Sequence, residues 1–150
     1  MSQEQLVEWI NDNLEGVVPK AVWGETSFFY NPGQAMAHGV YFCTIKEQDG
    51  VNDQSSDLDR PGIYRVAIGL RPNSYAGLFG EKPKRPAKGH IVDTGHDFAL
   101  VDELMPHPVY AWMNWVQILN PSVEKFAEIK SLVAEAHRLA TKKFAKRTKE

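Results

Sequence analysis

Apolar residues first recur along the chain with helical spacing: Leu6, Ile10 and Leu14 fall at i, i+4 and i+8, with Val7 on the flank. Ser2 followed by Gln5 has the form of an N-cap with its capping-box partner, and Gly16 supplies a stop. The pattern predicts a helix to about Asn13. The period then shortens. Val17 and Val18, and then residues 21–30, read as extended chain, dense in strand-favouring types at Phe28, Phe29 and Tyr30. Asn31-Pro32-Gly33 is turn chemistry, and Gly39 opens a second strand over 40–45. Its weak alternation predicts a central place or burial on both faces.

A long loop over 47–61 precedes an alternating strand at 63–70. There Ile63, Ala67 and Leu70 oppose a face of Tyr64, Val66 and Ile68, with Arg65 between. Pro72 suits the first position of a short helix through Tyr75, Leu78 and Phe79, closed by Gly80. A basic, proline-containing loop over 81–89 leads to a short strand at 90–92 and a short helix over 98–104. Residues 112–119 read as the last strand. Asn120 then caps and Pro121 takes the first helical position of a long helix, whose apolar stripe runs through Phe126, Ile129, Val133, Ala136, Ala140 and Phe144. Helices bracketing a run of strands, with no repeat and no long linker, predict one α+β domain over residues 1–150. Its antiparallel sheet is packed by an N-terminal helix and a long C-terminal helix.

Composition adds few constraints. A chain of 150 residues buries about 68–70% of its unfolded surface, enough for a core without staples. Hydrophobic residues at 43% and charged residues at 24% exclude global disorder. Cys43 is the single cysteine, so an intramolecular disulfide is impossible, and its apolar surroundings predict a buried thiol rather than a nucleophile. No basic region followed by an apolar stretch opens the chain, and no run of about 18 apolar residues occurs. A cytoplasmic location without membrane contact is expected. The net charge of −2 is unevenly spread. Lys82, Lys84, Arg85, Lys88 and the tail residues Lys142, Lys143, Lys146, Arg147 and Lys149 are nine positives against Glu81 and Glu150. These segments carry +7, leaving −9 on the rest. An acidic body argues against nucleic acid as the main partner, while two basic patches keep it as an alternative.

Several segments resemble an uncharacterised bacterial family of unknown function. They are residues 23–30 (Trp-Gly-Glu-Thr-Ser-Phe-Phe-Tyr), 56–62 (Ser-Asp-Leu-Asp-Arg-Pro-Gly), 78–80 (Leu-Phe-Gly) and 104–111 (Leu-Met-Pro-His-Pro-Val-Tyr-Ala), with Trp115-Val116 and residues 119–122 (Leu-Asn-Pro-Ser). More distantly, the order of helix, Trp-Gly strand, central strands, Trp-containing strand and final helix looks like the YjbR-like fold. That resemblance implies an antiparallel sheet with helices packed on it. It carries a suggested double-wing mode of DNA binding as a fold-level analogy only, and it supplies no catalytic residues.

Four stretches carry candidate chemistry, each with a structural reading beside it. In Trp23-Gly24-Glu25 the glycine permits a turn that would aim Glu25 into a cleft; otherwise Trp23 is core and Glu25 solvated. In the stretch 57–62, Arg60 could clamp an anion and Asp57 and Asp59 a hard cation; otherwise this is an Asx-type turn with an internal Asp–Arg pair. His90, Asp93, His96 and Asp97 have metal-ligand chemistry without a diagnostic spacing, so a surface loop is the expectation and no metal is assigned. Prolines on both sides of His107 would fix its imidazole near Tyr110, Trp23 or Trp115 for recognition or acid–base work; otherwise it closes a structural corner. No phosphate loop, nucleophile elbow or zinc-protease motif is present, and no cofactor is expected. The expectation is a domain that binds a small molecule or protein partner in an aromatic pocket of Trp23, Glu25, Arg60, His107, Tyr110 and Trp115. The alternatives are nucleic-acid binding through the 82–88 loop and basic tail, and an enzyme using His107 as general acid/base.

Overall fold

The structure, a computed structural model, describes residues 2–22 and 24–148. Helix α1 spans Gln3–Asn13 and is opened by a capping box. The Ser2 hydroxyl accepts from Gln5 N at 3.2 Å, and the Gln5 side chain accepts the Ser2 N–H at 2.9 Å. The elements that follow are β1 (Val17–Val22), β2 (Glu25–Tyr30), β3 (Val40–Lys46), β4 (Arg65–Gly69), α2 (Pro72–Phe79), β5 (Met105–Pro106), β6 (Trp115–Leu119) and α3 (Phe126–Thr148). The strands form one antiparallel sheet in the order β1-β2-β3-β4-β6-β5. This is the α+β architecture that the periodicity predicts, with β3 in the interior of the sheet.

One irregularity sets the faces of the sheet. Phe28 pairs with Cys43 but Phe29 pairs with Tyr41, so Phe42 is an extra residue in β3. Because side chains alternate with a period of two, this bulge turns Tyr41 to the same face as Thr44 and Lys46. It leaves Phe42 and Cys43 both on the other face. There the apolar side chains of the central strands meet Leu6 and Ile10 of α1 and Ile129, Val133, Ala136 and Ala140 of α3 in one buried core. His137 of α3 is wedged edge-on against Tyr30 and Phe42, and Lys130 of α3 lies over the Trp9 ring of α1. The two long helices therefore share one side of the sheet. The opposite face is left to the loops 47–63 and 81–114.

The structure departs from the sequence reading at several places. Residues 21–30 are not one extended run but parts of two strands, β1 and β2, which turn back at Gly24 (φ 75°), a conformation that favours glycine. Residues 90–92 form no strand; Val92 N donates a single backbone bond, to Pro108 O. No helix forms over 98–104: Asp102 sits at φ 58°, outside the helical region, and its backbone N–H donates to Leu119 O on β6. The last strand starts at Trp115, after a 3₁₀ turn (Ala111–Met113) ended by Asn114 at φ 69°. Asn120 does not cap α3: at φ 43°, its side chain accepts from Tyr64 N and donates to Gly62 O, and the helix begins at Phe126.

Candidate functional site

Arg65 begins β4 between apolar neighbours, and its side chain is only 1% exposed. A guanidinium in the middle of a sheet is costly unless it is paired. The partner comes from the 47–63 loop, where Gly50 and Asp53 exchange backbone bonds of 3.1 and 3.3 Å and so present the Asp53 side chain inward. Arg65 Nη1 donates to Asp53 Oδ1 at 2.9 Å, and Nη2 to Oδ2. Lys46 Nζ on the adjacent strand reaches Oδ2 at 3.1 Å. Beneath them Gln117 Oε1 accepts from Arg65 Nη1 and Ser56 Oγ, while its amide donates to Phe98 O. The buried Arg65 Nε–H has no partner among the described residues. Burial pushes the Asp53 carboxyl up, but the hydrogen bonds and charge of Arg65, aided by Lys46, prevail and hold it well below the usual carboxylate range.

His107 leaves β5 between two prolines and donates its backbone N–H to Trp115 O at 3.0 Å. Its Nδ1 accepts from Val109 N at 3.0 Å and from Tyr110 N at 3.1 Å, which places the imidazole proton on Nε2. Burial, then the positive charges of Arg65 and Lys46, push its pKa well below the ordinary value against the opposing pull of Asp53. The imidazole is neutral at physiological pH and suited to donate.

The aromatic part rests on a glycine. A Cβ on Gly69 would stand 2.9 Å from the Trp115 indole, so its absence lets the indole lie across β4. Tyr41 stacks on Trp115 with ring centroids 5.2 Å apart and planes 26° from parallel, and Phe29 follows at 5.9 Å from Tyr41. Tyr110 packs 5.1 Å from His107. Tyr41 and Tyr110 are 43% and 44% exposed, unlike the buried Trp115. Together the aromatic row and the polar group enclose a cavity of about 400 Å³. That volume lies within the roughly 300–1,000 Å³ range of small-molecule sites.

Of the residues singled out in the sequence, Glu25, His107, Tyr110 and Trp115 line this cavity. Arg60 does not. Its guanidinium donates to Asp57 O, Ser56 O and Ala99 O at 2.8–3.1 Å and pairs with the Asp57 carboxylate at 3.4 Å, tying two loops together. Trp23 lies outside the described residues. His96 Nδ1 is 2.9 Å from Thr94 Oγ1, and among the described residues no three metal-capable side chains group together. Arg65, Asp53, Lys46 and Tyr41 were not singled out as site residues from sequence. The available signal was the charge of Arg65 set inside an apolar strand, which requires an acidic partner, together with an acidic loop just upstream.

The model of a family of unknown function, DUF6194, matches residues 1–149 of the chain. No curated protein matches it. A crystal structure of a protein from Pseudomonas syringae is similar in fold at 11% sequence identity and a TM-score of 0.50, covering 93% of this chain and 99% of that one. Among the described residues no helix is long and apolar enough to cross a membrane.

Proposed function

The chain belongs to the DUF6194 family of unknown function, and from that premise we propose that it is a small-molecule-binding domain whose site is the aromatic cavity on the loop-covered face of the sheet. The observation that carries this reading is the meeting of exposed aromatic faces, Tyr41 and Tyr110, with the buried Arg65 and His107 and the partly buried Asp53 in one cavity of about 400 Å³. Ligand sites are built this way: apolar walls supply affinity, and a few fixed polar groups supply orientation. The YjbR-like assignment and a cytoplasmic location belong to the same proposal. The order of helix, hairpin, central strands and final helix supports the first.

Recognition is favoured over acid–base catalysis at His107. Proton abstraction needs a free nitrogen lone pair, and that of Nδ1 is engaged by two amides. A thermal-shift screen of small molecules tests the proposal. Binders are expected, and Tyr41→Ala and His107→Gln should each abolish the shift while near-UV circular dichroism reports an intact fold. A library without binders, or binders indifferent to both changes, would sink the reading. Nucleic-acid binding through Lys82, Lys84, Arg85, Lys88 and the basic end of α3 remains the second reading, and predicts affinity that collapses with added salt.

A further inference from the structure

The cavity does not end at Tyr110. Asn52, Val109 and Tyr110 also border a second depression of about 290 Å³, whose other wall is the basic loop with Arg85 and Lys88. Arg85 lies 4.7 Å from the centre of the Trp112 ring, which holds this loop beside the opening by a cation–π contact. Charge divides between the two compartments. Inside, Arg65 and Lys46 stand with Asp53 and Glu25, so the lining is formally neutral but rich in donors and acceptors. Outside, Arg85 and Lys88 line the second depression with no acidic residue beside them among the described residues, on a loop over 81–89 in which Lys82, Lys84, Arg85 and Lys88 against Glu81 make a net +3.

A neutral interior with both donors and acceptors suits an uncharged head group that carries both. Two partly exposed tyrosine rings suit a flat one. The positive loop suits an anion attached to it at a distance. We propose that the ligand is a phosphorylated planar heterocycle of the nucleoside monophosphate class, with its ring against Tyr41 and Tyr110 and its phosphate on Arg85 and Lys88. Stacking of a base on an aromatic side chain and ionic hydrogen bonds to a phosphate are independent contributions. The two ends can therefore be removed separately. The inference rests on the small-molecule reading of the cavity and adds to it the class of ligand and the place of the anion.

Calorimetric titration of the four nucleoside monophosphates, the matching nucleosides and inorganic phosphate at low salt tests it. At least one nucleotide is expected to bind about tenfold or more tighter than its nucleoside. The double variant Arg85→Gln/Lys88→Gln should lower nucleotide affinity to that of the nucleoside and leave the nucleoside unaffected, whereas Tyr41→Ala should weaken both. Equal binding of nucleotide and nucleoside, or a double variant that still prefers the nucleotide, would overturn the inference while the cavity reading stood. No binding by any of these compounds, with unrelated planar molecules still captured in a Tyr41-dependent way, would do the same. Failure of every compound in a broad screen would remove both. Tighter binding of a single-stranded oligonucleotide than of any mononucleotide would overturn the assignment in favour of the polymer.

Discussion

At the scale of residues, the Arg65–Asp53 pair forms the polar wall of the proposed site. Removing one partner of a buried ion pair leaves a charge without compensation, at a cost of about 3 kcal/mol. Asp53→Asn should therefore lower the unfolding free energy by that order in urea denaturation, although Lys46 lies on the same carboxylate. The same groups set the response to acid. His107 is depressed below its reference value of 6.5, so the native state binds fewer protons than the unfolded chain. Its contribution to stability is complete above that value and is lost as pH falls below it. Asp53, also depressed, contributes fully above 3.8 and is lost as pH falls through its lower native value. Urea midpoints measured from roughly pH 8 to pH 5 should decline, and His107→Gln should flatten that decline even where it lowers the absolute stability.

At the scale of elements, the site depends on features that interrupt regular strands. The bulge at Phe42 brings Tyr41 onto the open face, and Gly69 leaves space for Trp115 beside it. Gly69→Ala would place a methyl group 2.9 Å from the Trp115 indole, against ring atoms that must shift to admit it. A loss of about 1–3 kcal/mol is expected, with a change in the near-UV dichroism of the aromatic row. An unchanged spectrum would mean that Trp115 does not lie over β4. Elements defined by long periodicity were legible in sequence: α1 from Leu6 and Ile10, and α3 from Ile129, Val133, Ala136 and Ala140. Among the short pieces, α2 was legible from Pro72 and Gly80, and others were not. Residues 98–104 and 120–122 have helical-looking patterns, but Asp102 and Asn120 adopt positive φ to make bonds with Leu119, Ser122, Tyr64 and Gly62. Those partners are distant in sequence, and local pattern contains no sign of them.

At the scale of the whole molecule, the helices form a firm support on one side and the loops shape the site on the other. Arg60, weighed in sequence as an anion clamp or as half of an internal Asp–Arg pair, forms that pair with Asp57 and pins the 47–63 loop to the segment around Ala99. Since that loop also carries Asp53, Arg60→Ala should act on the cavity from a distance. Amide exchange across residues 47–63 is expected to accelerate, and the affinity of any cavity ligand to fall, without loss of the exchange-protected core in β3, β4 and β6. Unchanged exchange in that loop would show that Arg60 is not its anchor.

Sequence by itself determined the class of fold and the two covering helices, and marked His107, Tyr110, Trp115 and Glu25 as residues worth following. Each depends on short-range information: the period of apolar positions, caps, and prolines flanking one histidine. Only the tertiary structure decided that Arg65 lies at the centre and Arg60 outside, since the role of a charge depends on what folds against it. Asp53 and Lys46 meet Arg65 from a loop and a neighbouring strand, and an extra residue in β3 chooses which aromatic rings they meet. Register and loop closure are set by packing over the whole sheet, and so the site became visible only when its strands were paired.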